Sequence, residues 1–288
     1  MTRICSLLPS ATEIVAELGL AGSLVGRSEE CDWPPEVRSL PVVSAARIET
    51  AELTSVAIDE AVRVALRDGR SLYAVDEELI RELAPDIVVT QDLCEVCAVS
   101  STELRAVSAI DADVVSLDAR TLAGVARSVR ELAERLGVSE RGAAVAAGME
   151  AKLAQVRESV RGASQRRAFV CEWLDPPFAA GHWVPELVDA AGGVDVLGES
   201  GLPSFRTSWE EIFARSPELV VLAPCGFDCD RAAREAPSID WPCRVVAVDA
   251  NAYFSRPAPR IADGARQLAW LLHPDRAPDP GLPWLEVA

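Results

Sequence analysis

Apolar positions along this chain recur at two spacings, and the helical spacing is clearest in residues 139–161. Val145, Met149, Leu153, Val156 and Val160 follow one another at intervals of four, four, three and four, which puts them on one helix face. Ser139 is suited to cap that helix and Gly162 to end it. At 1.5 Å per residue it spans roughly 35 Å, about the width of a small domain. On either side, short runs rich in Val, Ile and Leu alternate with further helical patterns. A helix of that length in mid-chain is expected to join two lobes rather than fill one core.

In chain order, strands are predicted over residues 3–8, 23–27, 87–90, 114–117, 168–173, 219–222 and 244–248. Helices are predicted over 53–67, 76–83, 122–136 and 208–214, with others after Pro9, ahead of Gly192-Gly193 and after Arg260. Ser10-Ala11-Thr12-Glu13 reads as a capping box for the first helix. Pro34-Pro35 is expected to hold a rigid loop free of regular structure, residues 174–183 another loop, and the tail from Pro274 an irregular path. The halves echo each other. Leu83-Ala84-Pro85-Asp86-Ile87-Val88-Val89 parallels Arg215-Ser216-Pro217-Glu218-Leu219-Val220-Val221, and the strand at 114–117 parallels that at 244–248. The expected architecture is α/β: two Rossmann-like βα lobes, residues 1–138 and 164–288, joined by one long backbone helix over 139–163. Loops at the strand ends would then line a ligand cleft between the lobes.

Composition narrows the function classes. With 288 residues, 49% of them hydrophobic, the chain is long enough for two cores. A formal charge of −17 argues against nucleic acid, whose phosphates need clustered Lys and Arg. No apolar signal-like run precedes the first strand, so the sequence as given reads as cytoplasmic and without membrane insertion; a periplasmic or cell-surface location would require a signal already removed. Eight cysteines in a reducing compartment are expected to be thiols or metal ligands before disulfides.

Several loop motifs carry a resemblance. Leu8-Pro9-Ser10-Ala11-Thr12-Glu13, Asp32-Trp33-Pro34-Pro35, Ala84-Pro85-Asp86, Asp175-Pro176-Pro177-Phe178 with Gly181, Ser208-Trp209-Glu210, and Phe254-Ser255-Arg256 with Pro259-Arg260 run in order over nearly the whole chain. In these the chain resembles the helix-linked class of ABC-transporter substrate-binding proteins, most closely the vitamin B12 (cobalamin)-binding members. The resemblance implies a non-enzymatic binder holding a corrinoid or related ligand between two lobes. It also implies that Glu78 and Glu210 dock on arginines of an ABC permease if the protein is exported. Both glutamates equally suit the positive end of a helix dipole, since each falls in a predicted first turn.

A partly apolar macrocycle calls for aromatic walls and a few polar groups at the rim. By position the ligand-binding candidates are Asp32, Trp33, Trp173, Phe178, His182, Trp183, Phe205, Tyr253, Phe254 and Arg256. His182 can be read as an axial ligand to a corrinoid cobalt, as a metal ligand or as an ordinary loop histidine. Cys94 and Cys97 form a C-x₂-C pair and Cys225 and Cys229 a C-x₃-C pair. If the pairs faced each other across the cleft they would suit zinc or an iron–sulfur cluster, giving an alternative function as a thiolate-metal or redox protein. Small buried thiols are the plain alternative. No catalytic triad order, phosphate loop or nucleotide fingerprint appears, and no carboxylate pair is assigned as general acid and base.

Overall fold

A computed structural model describes residues 2–93, 99, 102, 104 and 112–288. The chain forms two compact units. The first takes in Met1–Leu53, Glu60–Ala119 and Arg127–Ala146; the second takes in Thr54–Asp59, Arg120–Ala126 and Ala147–Ala288.

The first unit is built on β1 (Ile4–Ser6), α1 (Pro9–Glu17), β2 (Leu24–Ser28), β3 (Val42–Ala46), most of α2 (Ser55–Arg67), β4 (Tyr73–Val75), α3 (Glu77–Leu83), β5 (Ile87–Thr90), β6 (Asp113–Ser116) and most of α4 (Leu122–Arg135). Its sheet has the order β4-β3-β2-β1-β5-β6 and is parallel except where β4 turns back on β3. From β1 the chain moves outward through β2 and β3, then returns to the other side of β1 as β5. The strand order therefore reverses between β1 and β5, the position beyond whose carboxyl ends open α/β sheets bind ligands. Cys5, Leu7, Val43, Ile80, Val88, Val99 and Leu104 form the core beneath. Gly26 permits that packing, since a Cβ there would lie 2.9 Å from both Cys5 Sγ and Val43 Cγ1.

The predicted 139–161 helix is α5 (Ser139–Ser159), followed by Gly162 at φ +74°. Met149, Leu153, Val156 and Val160 of the apolar stripe are buried, at 2–6% exposure. Near its start Gly142 meets α4 so closely that a Cβ would sit 2.2 Å from the Ala133 Cβ.

The second unit contains β7 (Arg166–Leu174), β8 (Pro177–Ala179), α6 (Val184–Ala190), β9 (Gly193–Asp195), β10 (Phe205–Arg206), α7 (Trp209–Ala214), β11 (Leu219–Leu222), α8 (Cys229–Arg234), β12 (Arg244–Val248), α9 (Ala250–Tyr253), α10 (Ile261–Leu272) and β13 (Trp284–Glu286). The sheet runs β10-β8-β7-β11-β12-β13, with β9 pairing β7 as well. β7, β11 and β12 are parallel and fully apolar at their centres, as strands buried on both faces must be. α10 packs against α6 on this sheet.

Four local expectations are corrected. The first helix starts at Pro9, not at a Ser10 cap: Pro9, whose missing N–H is one of the helix's unpaired donors anyway, opens it, and Leu8 at the cap position has no side-chain acceptor to offer. The same property lets Pro35 open a short 3₁₀ turn, Pro35–Ser39, where an irregular loop was expected. The 174–183 loop contains β8, which folds back on β7 as a hairpin. The proline-rich tail ends in β13, antiparallel to β12 and sealed by Val245 N donating to Ala288 O at 2.7 Å.

Candidate functional site

In the first unit the loop after β2 carries Asp32 and Trp33. Trp33 is 41% exposed, and its peptide bond to Pro34 is cis. Asp32 lies 3.8 Å from the Arg38 guanidinium, an exposed pair of small energetic weight. The loop is anchored from beneath. Thr12 Oγ1 donates to Ser6 Oγ at 2.8 Å and lies 3.0 Å from Cys31 Sγ, joining α1, β1 and the loop in one buried polar cluster. Arg27 also bonds the carbonyls of Ser28, Glu29 and Arg38.

The second unit gathers more of the candidates. Trp173, near the end of β7, meets Phe227 edge-on at 5.5 Å, and its indole N–H donates to Ser55 O at 3.2 Å. The Arg231 guanidinium lies over the Phe227 ring at 3.9 Å and pairs with Glu235 at 2.8 Å. Phe178 on β8 and Phe205 on β10 belong to paired strands, in register Phe205↔Ala179 and Arg206↔Phe178. Phe205 is 40% exposed. Trp183 is buried and donates its indole N–H to Phe254 O at 2.8 Å, which ties the start of α6 to the end of α9. Phe254 is itself buried, and Tyr253 lies under the Arg260 guanidinium at 5.2 Å. Arg256 is buried, and its charge acts on Asp249, whose carboxylate caps α9 through Ala252 N at 2.9 Å. Burial still outweighs the arginines, so the Asp249 carboxyl is pushed up.

His182 occupies the left-handed region at φ +53°, and its backbone is fixed to the 201–204 segment. Its N–H donates to Leu202 O at 2.6 Å and its carbonyl accepts from Gly201 N at 2.9 Å. Burial first, and the Arg120 charge second, push the imidazole pKa down, so the ring is neutral near pH 7 with a lone pair available. His273 is buried at the end of α10, with Nε2 3.1 Å from Gly192 O.

Glu78 and Glu210 occupy equivalent places in the two units. Each lies exposed in the first turn of a helix, α3 behind an Asp76 cap and α7 behind a Ser208 cap.

Cys94 and Cys97 lie outside the described residues. Cys225 is half-buried and Cys229 buried, and burial followed by Asp230, Asp249 and Asp228 pushes the Cys229 thiol up. Cys171 is interior to β7, and its thiol is also pushed up by burial. Among the described residues no group of three or more His, Cys, Asp and Glu is placed to hold a metal ion.

The residues that sequence reasoning passed over are Glu172, Phe227 and Leu202. Phe227 sits in the Cys225–Cys229 stretch, where the cysteines drew attention. Glu172 carried a usable signal, being the one charge within the apolar run 168–174.

The family model described as Periplasmic binding protein matches residues 4–237. The chain belongs to the periplasmic binding protein family. The vitamin B12-binding protein of Vibrio cholerae serotype O1 (strain ATCC 39541 / Classical Ogawa 395 / O395) is 25% identical over 276 residues, covering 94% of this chain and 88% of that protein. Among solved structures, a periplasmic heme-binding protein from Pseudomonas aeruginosa superposes with TM-score 0.73 at 18% identity, covering 99% of this chain and 95% of the other. The periplasmic vitamin B12 binding protein BtuF of Vibrio cholerae gives 0.66 at 23% identity, covering 94% and 96%. These likenesses confirm the two-lobe α/β fold of the periplasmic binding protein family. Within this member no described helix is long and apolar enough to cross a membrane.

Proposed function

We infer that this chain is a non-enzymatic binding protein that takes a corrinoid, with loops at strand ends supplying the contacts. The observation that carries this reading is the match to vitamin B12-binding proteins along 94% of the chain. It is supported by the aromatic residues Trp33, Trp173, Phe178, Phe205 and Tyr253, which sit in or beside those loops with part of their surface open. Such rings offer flat apolar area at low conformational cost, as a macrocycle requires. Asp32, Arg256 and the neutral His182 are the polar contacts in this reading, and the buried Trp183 and Phe254 hold the wall in place. Glu78 and Glu210 are its docking points for an ABC permease, in keeping with their matched, exposed positions.

The likenesses named above lend no support to the thiolate-metal or redox alternative. Heme is a second ligand that the solved structures bring in. Calorimetric titration of the purified protein with cyanocobalamin and, separately, with hemin decides the matter. Saturable one-to-one cobalamin binding, tighter than that of hemin, is expected. Tighter hemin binding moves the ligand to a porphyrin, and absence of binding to either rejects the reading.

A further inference from the structure

Glu172 is the residue inserted by a β-bulge. Along the β7–β8 hairpin, Cys171 pairs with Ala179 and Trp173 with Phe178, so two steps on β7 oppose one on β8. A bulge re-aims a side chain that regular pleating would send elsewhere, and bulges are enriched beside functional sites. Here the Glu172 carboxyl accepts from Gly181 N at 3.4 Å and is hydrogen-bonded by the Ser204 side chain. Its own carbonyl accepts from Cys225 N at 3.0 Å, which joins it to the loop after β11.

The two segments it reaches are already pressed together. A Cβ on Gly181 would sit 2.4 Å from Ser204 N and 2.5 Å from Leu202 O, and the paired bonds between His182 and residues 201 and 202 close the contact. Segment 201–204 is therefore a fixed strap. On it Leu202 is 51% exposed, and Phe205 just beyond is 40% exposed. Apolar side chains held in water on a fixed backbone gain when an apolar ring face covers them.

We propose that Glu172 is a positioning residue that clasps the 201–204 strap to residues 181–182, so that His182, Leu202 and Phe205 form one preformed wall for the ring face of a tetrapyrrole-like ligand. This rests on the binding function inferred above. A preformed wall avoids the ordering cost that a loose strap would incur on binding.

The test uses Glu172→Ala, Glu172→Gln and Ser204→Ala, read by hydrogen exchange in the free protein and by cyanocobalamin and hemin calorimetry. Glu172→Ala should speed exchange at the His182 and Gly201 amides and weaken binding of whichever macrocycle the parent takes by about tenfold, the scale of one buried charged hydrogen bond. Glu172→Gln keeps an acceptor and should stay within about threefold of the parent, with Ser204→Ala in between. Leu202→Asp should weaken binding and Leu202→Met should not, with exchange at 181–182 unchanged in both. Unaltered exchange in Glu172→Ala overturns the clasp, whatever the ligand. Faster exchange with unaltered affinity overturns its role in binding. If the parent binds neither macrocycle, the functional reading fails while the exchange data still decide the clasp.

Discussion

The Glu186 carboxylate accepts a 2.7 Å hydrogen bond from the Leu122 N–H, across 64 residues of sequence, and so satisfies the first orphan donor of α4. Its other oxygen accepts from Ser200 Oγ at 2.6 Å, while Thr121 Oγ1 takes the Gly124 N–H at 3.0 Å. The α4 N-terminus is thus capped half locally and half by a distant helix. Glu235 does the same for α2, accepting from Ser55 N at 2.9 Å.

Glu186→Ala should therefore destabilise the protein by about 1–2 kcal/mol, the usual worth of a charge-assisted bond at a helix start. Urea melts give the loss, and exchange at the Leu122 amide locates it. An unchanged midpoint together with unchanged Leu122 protection would show that the capping bond does not form in solution.

Leu153 is 3% exposed in the middle of the α5 stripe. Leu153→Ala should cost about 2–5 kcal/mol, from lost transfer energy and the cavity left behind. A loss below about 1 kcal/mol in denaturant melts would mean that this face of α5 is not packed.

Asp195 supplies a pH dependence with a definite sign. Its Oδ1 accepts from Leu197 N at 3.0 Å and Gly198 N at 2.6 Å, yet burial dominates and its pKa is pushed up to about 6 from 3.8. Between those values the folded state holds a proton that the unfolded state releases, so the stability this group contributes is full below pH 3.8 and is lost as pH rises through about 6. Asp195→Asn should accordingly raise the melting temperature at pH 7.5, and the advantage should shrink or reverse at pH 4. Equal effects at both pH values would show that ionisation of Asp195 is not the cause.

The cysteines make a separate prediction. With the Cys229 thiol pushed up by burial and three aspartates, alkylation at pH 7 should be slow there and faster at the more open Cys225. Protein purified without oxygen should carry neither zinc nor iron in stoichiometric amount. Stoichiometric metal, lost in a Cys94→Ser, Cys97→Ser double variant, would instead establish the thiolate site.

Trp33 and Tyr253 test the ligand wall directly. Trp33→Ala removes a partly exposed ring and should weaken cobalamin binding by about tenfold or more while leaving the melting curve nearly in place. Tyr253→Ala should behave alike. Affinities equal to that of a tightly binding parent would remove both residues from the site.

The sequence by itself determined what depends on one residue and its near neighbours. Ile87–Thr90, Leu219–Leu222 and Arg244–Val248 fall where the apolar runs put them, because a strand buried on both faces must be apolar throughout. The α5 face was legible because its 3.6-residue period needs no knowledge of what covers it. The first-turn positions of Glu78 and Glu210 were readable from the Asp76 and Ser208 caps beside them. Tertiary structure alone decided the rest. β4, β8, β9 and β13 have three residues each and β10 two, too few for a period to show, and they exist because a longer strand offers them hydrogen bonds. Glu172 reaches Ser204 through a bulge that only the β7–β8 register creates, and Leu122 is capped by a carboxylate 64 residues away. In each case the deciding partner is distant along the chain, and only folding sets the distance.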